Sequence, residues 1–563
     1  MSERRKQSLI KLGLILGIAV LANILGSAFF THIDLTEDKR YSLTDPTIEL
    51  LRSLDDVVYI EVMLEGDFPA GFKRLQRSVR ELLDEFRSYS GYIEYTFKDP
   101  NRGTPEEVNQ RREELAKEGI VPTNLRIKET EGTEEKLIYP YAKVNYGGRT
   151  AVVDLLDEQA RGSNPEEQLN TSISQLEYNF ANALHKLQLG AKEVIAFTVG
   201  HGELNELERK DLVRSLKAYY EVGTFNLDSA YVIPQAVKVL IVAKPRRPFS
   251  DRDKFLIDQY VMNGGKVIWL IDRLNAELDS LRGTNAYVPM DYPLELDDIL
   301  FKYGVRINPD LVLDLRCSHI PMVIDPTGRQ ELFPWYYHVI SIPQSDHPIV
   351  KNLDGINLFF PSSIDTVKTK TPVKKTILLT SSENSRIQPN ITRLNFEILR
   401  YDPDPEKFNK QHIPLAVLLE GEFPSLFENR VTAAFQQTLE QIDQQFREKS
   451  VNTRMLVVSD GDIARNQVVD PRQGQVMPLG FNRFERYQFA NKDFLLNAVE
   501  YLRDDNGIIE ARGKEVKLRL MNTTKAQQEA TKWQLLNIGV PLLFLLIFGF
   551  LWNWFRRRKY ARA

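Results

Sequence analysis

The sequence predicts a mixed α/β protein: an N-terminal thioredoxin-like domain without a Cys-x-x-Cys pair, then a Rossmann- or flavodoxin-like parallel α/β domain with a β-rich insertion, flanked by two transmembrane helices. Three observations predict it. Between Glu193 and Arg273, apolar runs (Val194–Val199, Val237–Ala243, Lys266–Asp272) alternate with helix-period segments, the pattern of parallel strands covered on both faces. Upstream, residues 57–187 read strand, helix, strand, helix, hairpin, helix. Both ends of the chain carry long uncharged apolar runs.

Leu12–Phe30 is uncharged and follows Arg4, Arg5, Lys6 and Lys11. It is longer than a signal-peptide core, so an uncleaved anchor is expected; Gly26-Ser27-Ala28 leaves cleavage as the alternative. Leu535–Phe555 is also uncharged, with Trp533, Trp552 and Trp554 near its ends and Arg556-Arg557-Arg558-Lys559 after it. Aromatic belts and basic flanks place residues 1–11 and 556–563 in the cytoplasm as tails and the intervening body outside it.

Within that body, residues 34–188 form the thioredoxin-like domain. A helix is expected at Pro46–Ser53, a strand at Val57–Leu64, an amphipathic helix at Phe72–Tyr89 and a strand at Tyr92–Phe97. Pro105–Glu118 reads as a charged helix, Leu137–Val144 with Thr150–Leu155 as a hairpin around Gly147-Gly148, and Ile173–Leu187 as a helix. Ile120-Val121-Pro122 sits where that fold places a cis-proline loop, but without a Cys-x-x-Cys pair the domain reads as a scaffold.

Residues 190–505 form the α/β domain, with the insertion at about 315–450. Leu207–Tyr220 and Leu294–Tyr303 read as helices, and Ser250 caps another that ends at Gly264-Gly265. Further strands are expected at Asp310–Asp314, His338–Ile342, Ile356–Phe360, Thr376–Thr380, Ile413–Glu420 and Thr453–Ser459, then a helix at Phe494–Leu502. In the juxtamembrane stretch 506–534, Lys514–Met521 reads as a strand and Thr523–Lys532 as a helix entering the membrane.

Composition excludes several functions. The 563 residues suit three or four domains, and a formal charge of −4 argues against nucleic acid. Cys317 is the sole cysteine, which excludes an internal disulfide and a cysteine zinc site. No Gly-x-x-x-x-Gly-Lys-Ser/Thr loop is present, so this chain does not hydrolyse ATP by that route.

Ligands of such sheets bind at the carboxyl ends of the strands, which here carry Gly200-His201-Gly202-Glu203, Lys244 and Asp272. Gly200, His201, Gly202, Glu203 and Asp272 are the ligand-binding candidates. The glycines permit a tight turn, and His201 with Glu203 suits an acid–base pair. The competing reading is that they cap a helix and bond the loop, and no Gly-x-Ser-x-Gly supplies a nucleophile. Asp460 and Asp462 offer carboxylates to a divalent cation, but calcium takes six to eight oxygens, so Asp460-Gly461-Asp462 reads first as a turn. No metal and no cofactor is expected. His185, His319, His338, His347 and His412 show no metal-ligand spacing.

Taken in order, Asp34-Leu35-Thr36-Glu37-Asp38-Lys39-Arg40-Tyr41-Ser42-Leu43-Thr44 after the first span, Gly200-His201-Gly202-Glu203, Asn263-Gly264-Gly265-Lys266, Pro414–Gly421, Val458-Ser459-Asp460-Gly461-Asp462 and Asn491–Val499 carry a resemblance over nearly the whole chain. The chain resembles the GldG family of gliding-motility ABC transporter auxiliary (substrate-binding-like) proteins of Bacteroidetes. The resemblance implies a non-enzymatic subunit in the inner membrane with a periplasmic body. Its partners would be a multi-span permease, a cytoplasmic ATPase, and a periplasmic partner or cargo. It also implies a domain shared with an intraflagellar-transport subunit, where it serves assembly. The alternatives are a tethered scaffold of a surface motility or secretion machine, and an amidotransferase-like hydrolase using His201 and Glu203.

Overall fold

The computed structural model describes residues 13–18, 42–118, 120–129, 132–156, 165–189, 192–281, 284, 286–391, 393–431, 446–504, 506–513 and 529–560. It divides into two compact units, Met1–Glu515 and Val516–Ala563.

Seven strands form the central sheet of the first unit: β1 (Val194–Val199), β2 (Glu221–Asn226), β3 (Val237–Ala243), β4 (Lys266–Leu270), β5 (Val373–Thr380), β6 (Pro414–Gly421) and β7 (Thr453–Val458), in the order β5-β6-β7-β4-β3-β1-β2. Successive side chains of a strand point to opposite faces, and this sheet buries both. Ile195, Phe197, Val239, Ile241, Ile268 and Leu270 pack on one side, with Phe494 and Leu495 of helix α3 (Asn491–Arg503). Ala196, Leu240, Val242, Val267 and Trp269 pack on the other, with Leu256, Ile257 and Val261 of helix α2 (Asp251–Met262). Each fully buried Val, Leu, Ile or Phe contributes about 1.5–3 kcal/mol, so continuous apolar runs suit a sheet covered twice.

Helix α2 starts where the sequence places its cap. Ser250 accepts from the Asp253 N–H, and the Asp253 carboxylate accepts from the Ser250 N–H, a reciprocal capping box. Helix α1 (Lys210–Lys217) is shorter than the expected Leu207–Tyr220. Asn205 Oδ1 accepts the N–H groups of Leu207 and Glu208, so an Asx turn occupies the first expected helical turn.

The sheet corrects the parallel expectation. β2, β1, β3, β4 and β7 run parallel, but β6 is antiparallel to β7 and β5 antiparallel to β6. Both antiparallel strands come from the stretch expected to form a separate insertion, and Leu415–Leu419 is fully buried. What remains of that stretch builds smaller sheets around Trp335, Tyr337 and Phe360. Strand β2 was not expected at all.

The N-terminal part of the same unit is a four-stranded sheet in the order Ile93–Phe97, Val58–Val62, Tyr141–Tyr146, Arg149–Asp154. The first pair is parallel and the rest antiparallel. Leu75, Val79, Leu83 and Phe86 of helix Ala70–Tyr89 share its core with Leu176, Phe180 and Leu184 of helix Pro165–Gln188. A hairpin of Thr123–Glu129 and Gly132–Ile138 precedes the expected one and takes Leu137 and Ile138 from it. No peptide bond among the described residues is cis, Val121–Pro122 included, which corrects the cis-proline expectation.

In the second unit, Ala530–Tyr560 is one helix containing Pro541 and, with it, the expected span Leu535–Phe555. Ala530–Arg558 has a most apolar window of mean hydropathy 2.3 and is long and apolar enough to cross a membrane. The expected strand Lys514–Met521 and most of Leu12–Phe30 and Thr523–Lys532 lie outside the described residues; 13–18 are helical.

Candidate functional site

The carboxyl ends of β1, β3, β4 and β7 carry two buried polar groups. The first is built on the turn after β1. Gly200 has φ +121° and Gly202 φ +75°, left-handed conformations that favour glycine. The turn puts the His201 carbonyl under the N–H groups of Arg246 and Arg247, at 2.8 and 2.9 Å. The His201 ring is buried and lies flat on Phe249, centroids 3.9 Å apart with 5° between planes. Its Nε2 is 3.3 Å from Asp253 Oδ2 and its Nδ1 is 3.6 Å from Glu203 Oε1. The backbone N–H of His201 donates to Glu203 Oε2 at 2.7 Å.

Burial would push the His201 pKa down, but the bonds and charges of Glu203 and Asp253 outweigh it and raise the pKa. Burial would raise Glu203, yet the facing His201 ring and the His201 N–H that it accepts hold it below the usual carboxylate range.

The second group surrounds Lys244, whose side chain is wholly enclosed at 0% exposure. Lys244 follows β3 with φ 53°, a conformation uncommon for a residue other than glycine. Its Nζ lies 2.6 Å from Asp462 Oδ2, 2.9 Å from Glu277 Oε1 and 3.1 Å from Asp272 Oδ2. Arg465 is the second cation, with Nη1 3.3 Å from Asp462 Oδ1 and Nη2 3.2 Å from Glu208 Oε1. Asp460 uses Oδ2 to accept the Phe359 N–H and Oδ1 to accept the Asp462 N–H, both at 2.8 Å. Asp272 Oδ1 accepts the N–H of Gly461.

Burial raises the Asp272 pKa to about 6 against the pull of Lys244, with Asp462 adding to the rise. Asp460 is raised well above the usual range by burial and then by the charges of Asp272 and Asp462. Asp462 moves the other way: burial would raise it, but Lys244 and Arg465 prevail. A buried lysine held by three carboxylates is a structural clamp, since removing Lys244 leaves buried carboxylates without their cation.

The structure therefore brings together Gly200, His201, Gly202 and Glu203 and assigns Asp272 to the neighbouring cluster. Asp460 and Asp462 are engaged by backbone N–H groups, Lys244 and Arg465. Lys244 was already marked by the strand-end rule. Asp253 was not singled out in the sequence, where Ser250 alone marked the cap, and Glu277 and Arg465 carried no local signal.

A family profile described as "ABC-type uncharacterized transport system" matches residues 192–498, more than half of the chain. The chain belongs to this family. This family is an auxiliary transport component rather than a known enzyme class, and membership fits a transporter-associated subunit. A second profile, a domain of unknown function, matches residues 37–145. An uncharacterized protein of Borreliella burgdorferi is 22% identical over 437 residues, covering 76% of this chain and 80% of that protein. Among solved structures, the mmIFT52 N-terminal domain aligns at 11% identity over 55% of this chain and 97% of its own, with a TM-score of 0.31. The exo-beta-1,4-mannosidase Op5Man5 from Opitutaceae bacterium strain TAV5 aligns at 11% identity over 76% of this chain and 51% of its own, with a TM-score of 0.19. At such scores neither carries an argument about this fold.

Proposed function

We propose that this chain is the membrane-anchored auxiliary subunit of an ABC transporter of the gliding-motility type. Its body binds cargo or a periplasmic partner, and its membrane segments dock on a multi-span permease driven by a cytoplasmic ATPase. The family match over residues 192–498 carries the reading. The apolar helix Ala530–Arg558 supports membrane anchoring, and the basic run Arg556–Lys559 supports a cytoplasmic C-terminus.

In this reading residues 34–188 are a thioredoxin-like adaptor without redox chemistry. Its support is the strand order, a parallel pair at one edge continued by an antiparallel hairpin. Residues 190–505 are a Rossmann-like body whose ligand face lies around Gly200, His201, Gly202, Glu203 and Asp272, and five parallel strands support that assignment. A hydrolase would need a hydroxyl or thiol at His201, whose two ring nitrogens instead face Glu203 and Asp253.

The test is detergent co-purification of tagged full-length protein from its native membrane, with mass spectrometry of what accompanies it. A permease and a Walker-motif ATPase in comparable amounts are expected. Recovery with periplasmic proteins alone would replace the transporter reading by the scaffold one.

A further inference from the structure

We propose that His201, Asp253 and Asp228 form a binding site for one divalent transition cation, Zn²⁺ by preference, with Glu203 and Ser250 as its supporting groups. This inference is independent of the transporter assignment. One ligand atom from each of the three residues lies within 4.8 Å of the other two. Two donors each about 2.0–2.1 Å from a tetrahedral Zn²⁺ stand about 3.3 Å apart. His201 Nε2 stands 3.3 Å from the Asp253 carboxylate, at its Oδ2.

The surroundings are those of a metal ligand set. A ligating imidazole commonly turns its second nitrogen to a carboxylate that fixes its tautomer, and a ligating carboxylate is itself hydrogen-bonded. Here His201 Nδ1 faces Glu203 Oε1 at 3.6 Å, and both atoms are buried without a hydrogen bond, as is Asp253 Oδ1. Ser250 Oγ at 2.6 Å and the Ser250 N–H at 2.9 Å hold Asp253 Oδ2, which leaves Oδ1, buried without a hydrogen bond, as the oxygen free to ligate. Phe249 beneath the ring removes its rotational freedom.

Asp228 completes the set from the loop after β2, and that loop is held in place. Its N–H donates to Asn226 Oδ1 at 2.9 Å, while Arg252 on α2 donates to the carbonyls of Leu227, Asp228 and Ala230. The residue next to Asp253 thus ties down the loop that carries Asp228. A Cβ on Gly200 would stand 3.2 Å from Asn226 Oδ1, so the glycine leaves room for the side chain that holds the Asp228 N–H.

Charge points the same way. Among the described residues neither Asp228 nor Asp253 has a lysine or arginine ion-pair partner. A dication offsets the charges of Asp228 and Asp253, while Glu203 faces the other side of the His201 ring. One nitrogen and carboxylate oxygens suit Zn²⁺ or Mn²⁺ better than a soft ion, and exposed Asp228 leaves the fourth position open to water or a ligand.

The experiment uses full-length protein in detergent with its affinity tag removed, stripped with chelator and titrated with ZnCl₂ or MnCl₂ in a calorimeter. Bound metal is counted by mass spectrometry after dialysis. One equivalent per chain is expected. Asp228→Asn, at an exposed position, should retain the melting profile and weaken binding at least tenfold. Glu203→Gln should weaken it about 10–100-fold, as loss of an orienting partner does. No stoichiometric binding of either ion, or equal binding by wild type and Asp228→Asn, overturns the proposal.

Discussion

Gly461 and Lys244 touch so closely that a Cβ on the glycine would stand 2.6 Å from Lys244 Cβ and 2.8 Å from its Cα. Neither partner can withdraw. The Gly461 N–H is held by Asp272, and Lys244 is fixed by three carboxylates and by its own N–H on the Leu270 carbonyl at 2.8 Å. Gly461→Ala should therefore lower stability by about 1–3 kcal/mol, the usual cost of overpacking. Thermal melts of the detergent-solubilised protein would show it, and an unchanged Tm would mean that the β7 turn yields.

The Lys244 cluster should also give stability a pH dependence of defined sign. Burial raises Asp272 to about 6 in the folded state. A raised carboxyl contributes stability that is fully present below its unfolded pKa, near 3.9, and lost as pH rises through the folded value. Asp272→Asn copies the protonated form and can still accept the Gly461 N–H. Its Tm relative to wild type should climb between about pH 4 and pH 7. A relative Tm that falls over that window would show that the bond to Lys244 outweighs burial.

Much of this was readable from residue patterns, for local reasons. Val237–Ala243 and Lys266–Leu270 are apolar because both faces of their sheet are covered, and the Ser250 cap announces α2. Glu221–Asn226 was missed because an exposed edge strand needs no apolar alternation; only its hydrogen bonds to β1 define it. Ile413–Glu420 was recognised as a strand, observed at Pro414–Gly421, but assigned to an insertion, since antiparallel pairing with Thr453–Val458 is a long-range fact that composition does not encode. The same limit applies to the site. His201 and Glu203 are two residues apart in sequence and were paired in advance, whereas Asp253 and Asp228 reach His201 only because the sheet folds them there.

Ser250→Ala tests the link between helix capping and that site. The hydroxyl accepts the Asp253 N–H and donates to its carboxylate. Loss of an N-cap costs about 1 kcal/mol. The freed carboxylate should also let the His201 ring tilt from Phe249. A Tm decrease together with faster amide exchange at residues 250–254 and 200–203 is expected. Faster exchange at residues 250–254 without faster exchange at residues 200–203 would confine Ser250 to capping.

The last prediction concerns Lys186 and Glu500, which join the helix behind the N-terminal sheet to α3 of the central one. Nζ lies 2.5 Å from Oε1, the two side chains are 13% and 12% exposed, and Lys186 also sits 3.8 Å over the Tyr219 ring. Burial lowers the Lys186 pKa despite its partner. Burial would raise Glu500, but Lys186 and Arg503 bring it below its usual value. Each charge therefore depends on the other. Glu500→Ala strands a buried ammonium, at a cost of about 3–5 kcal/mol. Both side chains line a cleft of about 1020 Å³ with Tyr178 and Arg512. Replacing both residues with apolar side chains of similar size, Lys186→Met with Glu500→Leu, should recover most of that loss, because no charge is then left unpaired. Denaturant melts of the single and double variants decide it. If the double variant is as unstable as the sum of its singles, the two side chains act through separate neighbours and the bridge is not what joins the two sheets.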